Sequence, residues 1–119
     1  MPKTKSANYY DLEDRTFAFA RDVRLLVRRI KKDICNLEDS KQLVRSSGSV
    51  GANYIEANES LSKKDFIHRI KISRKEAKES TYWLKLINFN EDLEIERKNL
   101  IKESIELTKI FGSIIEKCK

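Results

Sequence analysis

Apolar positions recur at steps of three and four along most of the chain, in separate blocks. Over residues 12–35, Phe19, Val23, Leu26, Ile30 and Ile34 form one such series, the mark of a helix with a single buried stripe. Asp11, Glu13 and Asp14 crowd its start, where the helix dipole favours negative charge, and Lys31 and Lys32 sit near its end. The segment "CNLEDSKQ" supplies Asn36, Asp39 and Ser40, residue types that cap helices and make turns, and it predicts the first corner.

The third block is the most regular. Phe66, Ile70, Ser73, Ala77, Ser80, Leu84 and Ile87 alternate four-three spacing, a seam for another helix. Ser62-Lys63-Lys64-Asp65 opens it as a capping box. "NFNED" at 88–92 predicts another corner, and a last helix over 94–117 offers Leu100, Ile101, Ile105, Thr108, Phe111 and Ile115.

Between the first and third blocks lies "RSSGSVGANYIEAN", residues 45–58, rich in glycine and serine. A structureless connection of that length inside a compact domain is uncommon. A phosphate-binding loop needs a preceding strand and a following Gly-Lys-Ser/Thr, and neither is present. As a helix, 40–58 brings Leu43, Val44, Ser47, Val50, Tyr54 and Ile55 to one face. Gly48 and Gly51 each cost a helix up to about 1 kcal/mol, which makes sense if neighbouring helices press close. The pattern therefore predicts an all-α chain, an up-down-up-down antiparallel four-helix bundle forming one domain over 1–119, with residues 1–10 a flexible extension.

Composition changes little in this picture. The single proline, Pro2, and three glycines leave helices uninterrupted, and no apolar run approaches the roughly 20 residues that span a bilayer. The N-terminus lacks the apolar centre of a signal peptide, so a cytosolic protein with no membrane partner is expected. Cys35 and Cys118 are expected as reduced, partly buried thiols at opposite ends of the bundle.

Charge matters more. The chain carries a formal +6, and residues 1–90 hold 19 Lys+Arg against 12 Asp+Glu. Arg21, Arg24, Arg28 and Lys31 or Lys32 share one face of the first helix. Lys64, His68, Lys71, Lys75 and Lys78 share one face of the third. Such rows bind phosphates with strong salt dependence, or they are the wet faces of soluble helices. Helices one and three lie diagonally, so the rows are not expected to merge within one subunit. No aromatic residue interleaves with them, and Tyr82 and Trp83 read as core or subunit-contact residues, which argues against a base-stacking platform.

A second polar pattern, Gln42, Arg45, Ser49, Asn53 and Glu56, faces Glu76, Glu79 and Trp83 of the third helix. Arg45 is expected to pair with Glu76 or Glu79, and Glu56 to lie near Arg69 or Asp65. This stripe is either solvated or a shielded network fixing helix register or a subunit contact.

Three motifs carry a family resemblance: "YDLEDRTFAFA" (10–20), "QLVRSSGSVGANYIEAN" (42–58) and "SKKDFIHRIKISRKEAKESTYWLKL" (62–86). With them the chain resembles the bacterial 23S rRNA intervening sequence proteins, except that many members have a proline near the first corner. The resemblance implies a four-helix bundle assembling into a ring, a homopentamer, and does not imply an activity. A related group of bundles assists retroelement reverse transcriptases and binds nucleic acid, an analogy of fold rather than of function.

Catalysis is not expected. A di-metal carboxylate bundle needs two Glu-x-x-His pairs, and His68 is the only histidine. The two cysteines lie too far apart for a zinc site, and no metal or cofactor is expected. The primary expectation is a non-enzymatic ring that binds nucleic acid, RNA or DNA and foremost structured RNA, through Arg21, Arg24, Arg28, Lys32, Lys64, Lys71, Lys75 and Lys78. The alternative is a scaffold for a protein partner, its charge serving solubility.

Overall fold

The computed structural model describes residues 11–119, and the extension expected over residues 1–10 lies outside the described residues. Helix α1 spans Leu12–Val27, α2 Ile34–Asn58, α3 Lys63–Leu86 and α4 Glu94–Lys117, the last preceded by a single 3-10 turn at Glu91–Leu93. Contacts between helices set their directions. Thr16 faces Gly51 while Arg24 reaches Val44, so α2 runs antiparallel to α1. Arg69 meets Asn53 and Ser80 meets Ser46, which reverses α3 against α2. Arg74 lies over Gly112 and Thr81 bonds Ser104, which reverses α4 against α3. Arg15 to Glu103 and Arg29 to Glu96 close α1 onto α4. The result is an up-down-up-down bundle with extents of 44 × 29 × 21 Å.

The first corner differs from the sequence expectation. Helix α1 ends at Val27 rather than near residue 35, and the turn falls at 28–33. Asp33 is the cap of α2, accepting from the Asn36 backbone N–H at 2.8 Å. Asn36, Asp39 and Ser40, expected as corner residues, all lie inside α2. The reason is a tertiary clamp: buried Asn36 donates to the Lys31 carbonyl at 2.9 Å and the Asn88 carbonyl at 3.0 Å, and accepts from the Asn88 N–H at 3.2 Å. One side chain thus ties the α1–α2 corner to the α3–α4 corner and satisfies backbone groups that both turns leave bare. Ile30 tucks into the core, whereas Ile34, expected on the buried stripe, is 78% exposed as the first residue of α2.

The glycine-serine stretch is helical throughout. An added Cβ at Gly51 would sit 2.7 Å from Thr16 Oγ1, and one at Gly48 would sit 3.0 Å from Arg24 Nη2. On the other flank, Ser46 Oγ lies 2.9 Å from Ser80 Oγ, and Ser73 Oγ donates to the Val50 carbonyl at 2.9 Å. Small residues therefore let α1 and α3 approach α2 from two sides, with the buried hydroxyls hydrogen-bonded. Leu43, Ser47 and Val50 of its expected apolar face are buried, and Ile55 is exposed.

Helix α3 starts at its Ser62 cap, Ser62 Oγ accepting from the Asp65 N–H at 3.1 Å, which is the serine half of the expected capping box. Of its seam, Ile70, Ser73, Ala77, Ser80, Leu84 and Ile87 are buried, and Phe66 packs against the core from its edge. Helix α4 buries Leu100, Leu107, Phe111 and Ile115, with Ile105 partly exposed. Asn36, next to Cys35, sits where α4 begins, while Cys118 ends α4 about 36 Å away at 1.5 Å per residue. No intramolecular bridge can join two cysteines so placed. Cys35 is exposed rather than partly buried.

Candidate nucleic-acid interface

Helix α3 contacts α2 and α4 and leaves one face outward. Lys64, His68, Lys71, Lys75 and Lys78 all lie there, and all are exposed. From Lys64 to Lys78 the row runs about 21 Å along the helix. Among the described residues, no carboxylate comes within ion-pair distance of these lysines. Arg74 joins them: it is exposed, lies over Gly112 of α4, and lines one shallow depression with Lys71, Lys75, Lys78 and Glu79. Sequence spacing missed Arg74 because it is off the row by one position. It lies against α4 at Gly112, where even an added Cβ would meet it only at ordinary contact distance.

Two carboxylates close to the row in sequence are paired across the groove with α2. Arg45 reaches Glu76 at 3.2 Å and Glu79 at 3.0 Å, so it meets both carboxylates offered by the sequence. Glu76 is only 8% exposed in this pair, whereas Arg45 keeps half its side chain in solvent. Arg69 donates to Asn53 Oδ1 at 3.0 Å, and Asn53 donates to Ser49 Oγ at 3.0 Å and to the Ser49 carbonyl at 2.9 Å. Glu56 borders a depression together with Asp65, His68 and Arg69. Gln42 lies exposed beyond the paired residues. The polar stripe is therefore a half-wet network along the outer α2–α3 groove. Arg45 engages Glu76 and Glu79, so neither is within ion-pair distance of the lysine row, although Glu79 borders the same depression as Lys71, Lys75 and Lys78.

The α1 residues are scattered by comparison. Arg24 turns onto α2, donating to the Val44 carbonyl at 3.1 Å and to the Ala20 carbonyl at 3.0 Å over the gap that Gly48 leaves. It acts as a helix–helix contact, not as a free cation. Arg21 pairs with Asp22 at 3.1 Å. Arg28 caps the end of α1 and Lys32 lies in the corner, so with α1 ending at Val27 the expected row breaks up. The two basic regions stay apart on diagonal helices.

Trp83 is partly buried against the core, and its Nε1, like Ser40 Oγ, is a buried polar atom without a protein partner among the described residues. Tyr82 is not a core residue: it is 59% exposed and meets Trp83 edge-on, with centroids 5.0 Å apart. Glu94 and Glu96 depart from ordinary values. The Arg97 guanidinium holds Glu94 below the usual glutamate range. The Arg29 guanidinium, helped by a backbone N–H, does the same to Glu96. The Glu94–Arg97 pair lies within the first turns of α4, and the Arg29–Glu96 pair joins the end of α1 to α4. His68 stands exposed, and no group of three or more His, Cys, Asp or Glu side chains among the described residues could hold a metal ion. No helix among them is long and apolar enough to cross a membrane.

The family model described as 23S rRNA-intervening sequence protein matches residues 10–113. A solved structure from Bacteroides thetaiotaomicron, a protein of unknown function from the S23 ribosomal protein family, is similar over 88% of this chain and 98% of its own. It shares 34% sequence identity, with a TM-score of 0.72. No curated protein matches the chain.

Proposed function

The chain belongs to the 23S rRNA-intervening sequence protein family, and from that premise we propose that it is a non-enzymatic, ring-forming protein of the cytosol that binds structured RNA through the outer face of α3. One observation carries the RNA reading: Lys64, Lys71, Arg74, Lys75 and Lys78 stand exposed without a carboxylate at ion-pair distance among the described residues. An unneutralised row of this length favours a polyanion, with counterion release supplying affinity and little sequence preference. Arg28 and Lys32 add charge at one end of the bundle. The ring, a homopentamer, rests on the family resemblance, and placing several α3 faces around one assembly would multiply the phosphate contacts.

Fluorescence anisotropy with an RNA hairpin and a matched DNA duplex, at about 50 and 200 mM salt, tests the reading. Submicromolar binding that weakens steeply with salt is expected, together with a shallower salt slope, by about two, in the variant K71E/K75E. Both lysines are exposed on the single chain, so the bundle should survive the change, and a loss of oligomeric mass would make the row a subunit contact instead. Absence of RNA binding at the lower salt refutes the reading.

A second reading has an observation of its own. Phe17 is 68% exposed and Ile55 42% exposed along an α1–α2 groove floored by Gly48, Gly51 and Ala52. An apolar groove of this kind suits a protein partner, and binding there without RNA affinity would make the chain a scaffold.

A further inference from the structure

The α3 row does not end at Lys78, and the expectation that no aromatic residue interleaves with it does not hold. The same four-three steps continue to Tyr82 and Lys85, so Lys71, Lys75, Lys78, Tyr82 and Lys85 share one outward face, and all five are exposed. Tyr82 is 59% exposed in a bundle that buries Phe19, Phe89 and Phe111 below 9%. It is also held in place. Its ring meets Trp83 with planes at 81°, and Trp83 packs in turn against the core. Its neighbours along the face are cations, and the nearest carboxylate in sequence, Glu79, is paired with Arg45.

An aromatic ring fixed against its own fold, with cations one turn before and after, suits a nucleotide whose base has left a helix. The base stacks on the ring while ammonium groups take the phosphates on either side. Lys78 and Lys85 stand about 10 Å apart along the axis, close enough for two flexible side chains to serve phosphates flanking one nucleotide. We propose that Tyr82 is a base-stacking residue that receives one unpaired nucleobase of a bound RNA, with Lys78 and Lys85 on its flanking phosphates. The proposal rests on the RNA reading above and deepens it: the RNA bound best is a duplex that ends in, or is interrupted by, unpaired nucleotides. Leu86, also exposed one turn beyond Tyr82, would offer the same surface to a protein, but the cations on both sides of the ring favour the nucleic acid.

The experiment compares a blunt RNA hairpin with the same hairpin carrying a short unpaired 3′ extension that contains 2-aminopurine. The full chain should bind the extended hairpin more tightly and quench the 2-aminopurine fluorescence. Y82A should weaken that binding roughly 5- to 150-fold while changing affinity for the blunt hairpin little. Y82F should keep both the affinity and the quenching, and K71E/K75E should weaken both RNAs alike. If Y82A holds the extended RNA as tightly as the unaltered chain, or quenching never occurs, the stacking role is overturned while the RNA reading stands. If Y82A instead alters the oligomeric mass, Tyr82 is a protein contact and the proposal falls. If neither RNA binds the unaltered chain at low salt, proposal and reading fall together.

Discussion

Replacing Gly51 with alanine sets helix propensity against helix–helix contact. In an exposed helix interior the change should stabilise by about 1 kcal/mol, since glycine is the poorer helix former by that amount. Here the new Cβ would lie 2.7 Å from Thr16 Oγ1, 3.1 Å from Thr16 Cβ and 3.7 Å from the Thr16 carbonyl carbon. The first distance is far inside van der Waals contact, and the atoms met are the root of a β-branched side chain and the backbone of α1. Relief therefore requires α1 itself to shift, and overpacking of this kind costs about 1–3 kcal/mol. A net loss of about 1 kcal/mol is expected.

The other glycines supply internal controls. At Gly48 the obstacle is Arg24 Nη2 at 3.0 Å, the end of a flexible side chain. G48A should be near neutral, because the propensity gain offsets a strained Arg24–Val44 bond. At Gly112 the nearest atom is Arg74 Nε at 3.6 Å, an ordinary contact, so G112A should stabilise by about 1 kcal/mol. Urea unfolding of the three variants reads the differences directly, and 1 kcal/mol corresponds to about 4 °C in Tm for a chain of this size. The predicted order is G112A above the unaltered chain, G48A near it and G51A below. T16A should partly rescue G51A, a coupling that a double-mutant cycle isolates. If G51A proves as stable as G112A, α1 is not seated on the small-residue face of α2.

Three further outcomes follow from particular side chains. N36A should cost about 2–4 kcal/mol, because it leaves the Lys31 and Asn88 backbone groups without a partner at both corners, and chemical denaturation measures it. S40A should stabilise by about 1 kcal/mol, since it removes a buried, unpartnered hydroxyl and improves helix propensity within α2; an unchanged or lower Tm would contradict this. Glu96 is held below the ordinary glutamate range chiefly by Arg29, so its ion pair stabilises the fold above the ordinary glutamate pKa. That contribution is lost as pH falls through the depressed value in the folded chain. The stability difference between E96Q and the unaltered chain should therefore shrink towards zero in acid, as stability measured against pH will show.

Much of the fold could be read from spacing alone. The α3 seam of Ile70, Ser73, Ala77, Ser80, Leu84 and Ile87 and the Ser62 cap depend on periodicity and local hydrogen bonding, both properties of a short segment. The Arg45 pairing with Glu76 and Glu79 was legible because an antiparallel hairpin with its turn near residue 60 leaves little freedom in register. The lysine row on α3 was legible as positions. Its lack of neutralising partners was not, because only the α2 neighbour determines where Glu76 and Glu79 turn.

Other features were decided by the tertiary structure. No glycine or proline marks the end of α1, and its apolar period runs on through Ile30 and Ile34. The corner is held locally by the Asp33 cap and, across the bundle, by Asn36 bonding to Asn88, 52 residues away, a contact no local window contains. Arg24 has the spacing of a surface cation, yet the missing side chain of Gly48 on a different helix draws it inward. Tyr82 continues the spacing of the lysine row, so its outward position follows from periodicity, whereas its edge-on contact with Trp83 is seen only in the structure. Sequence alone determined which residues share a helix face, because that follows from 3.6 residues per turn. The structure decided which faces are covered and which charges are neutralised, because those depend on the neighbouring helix.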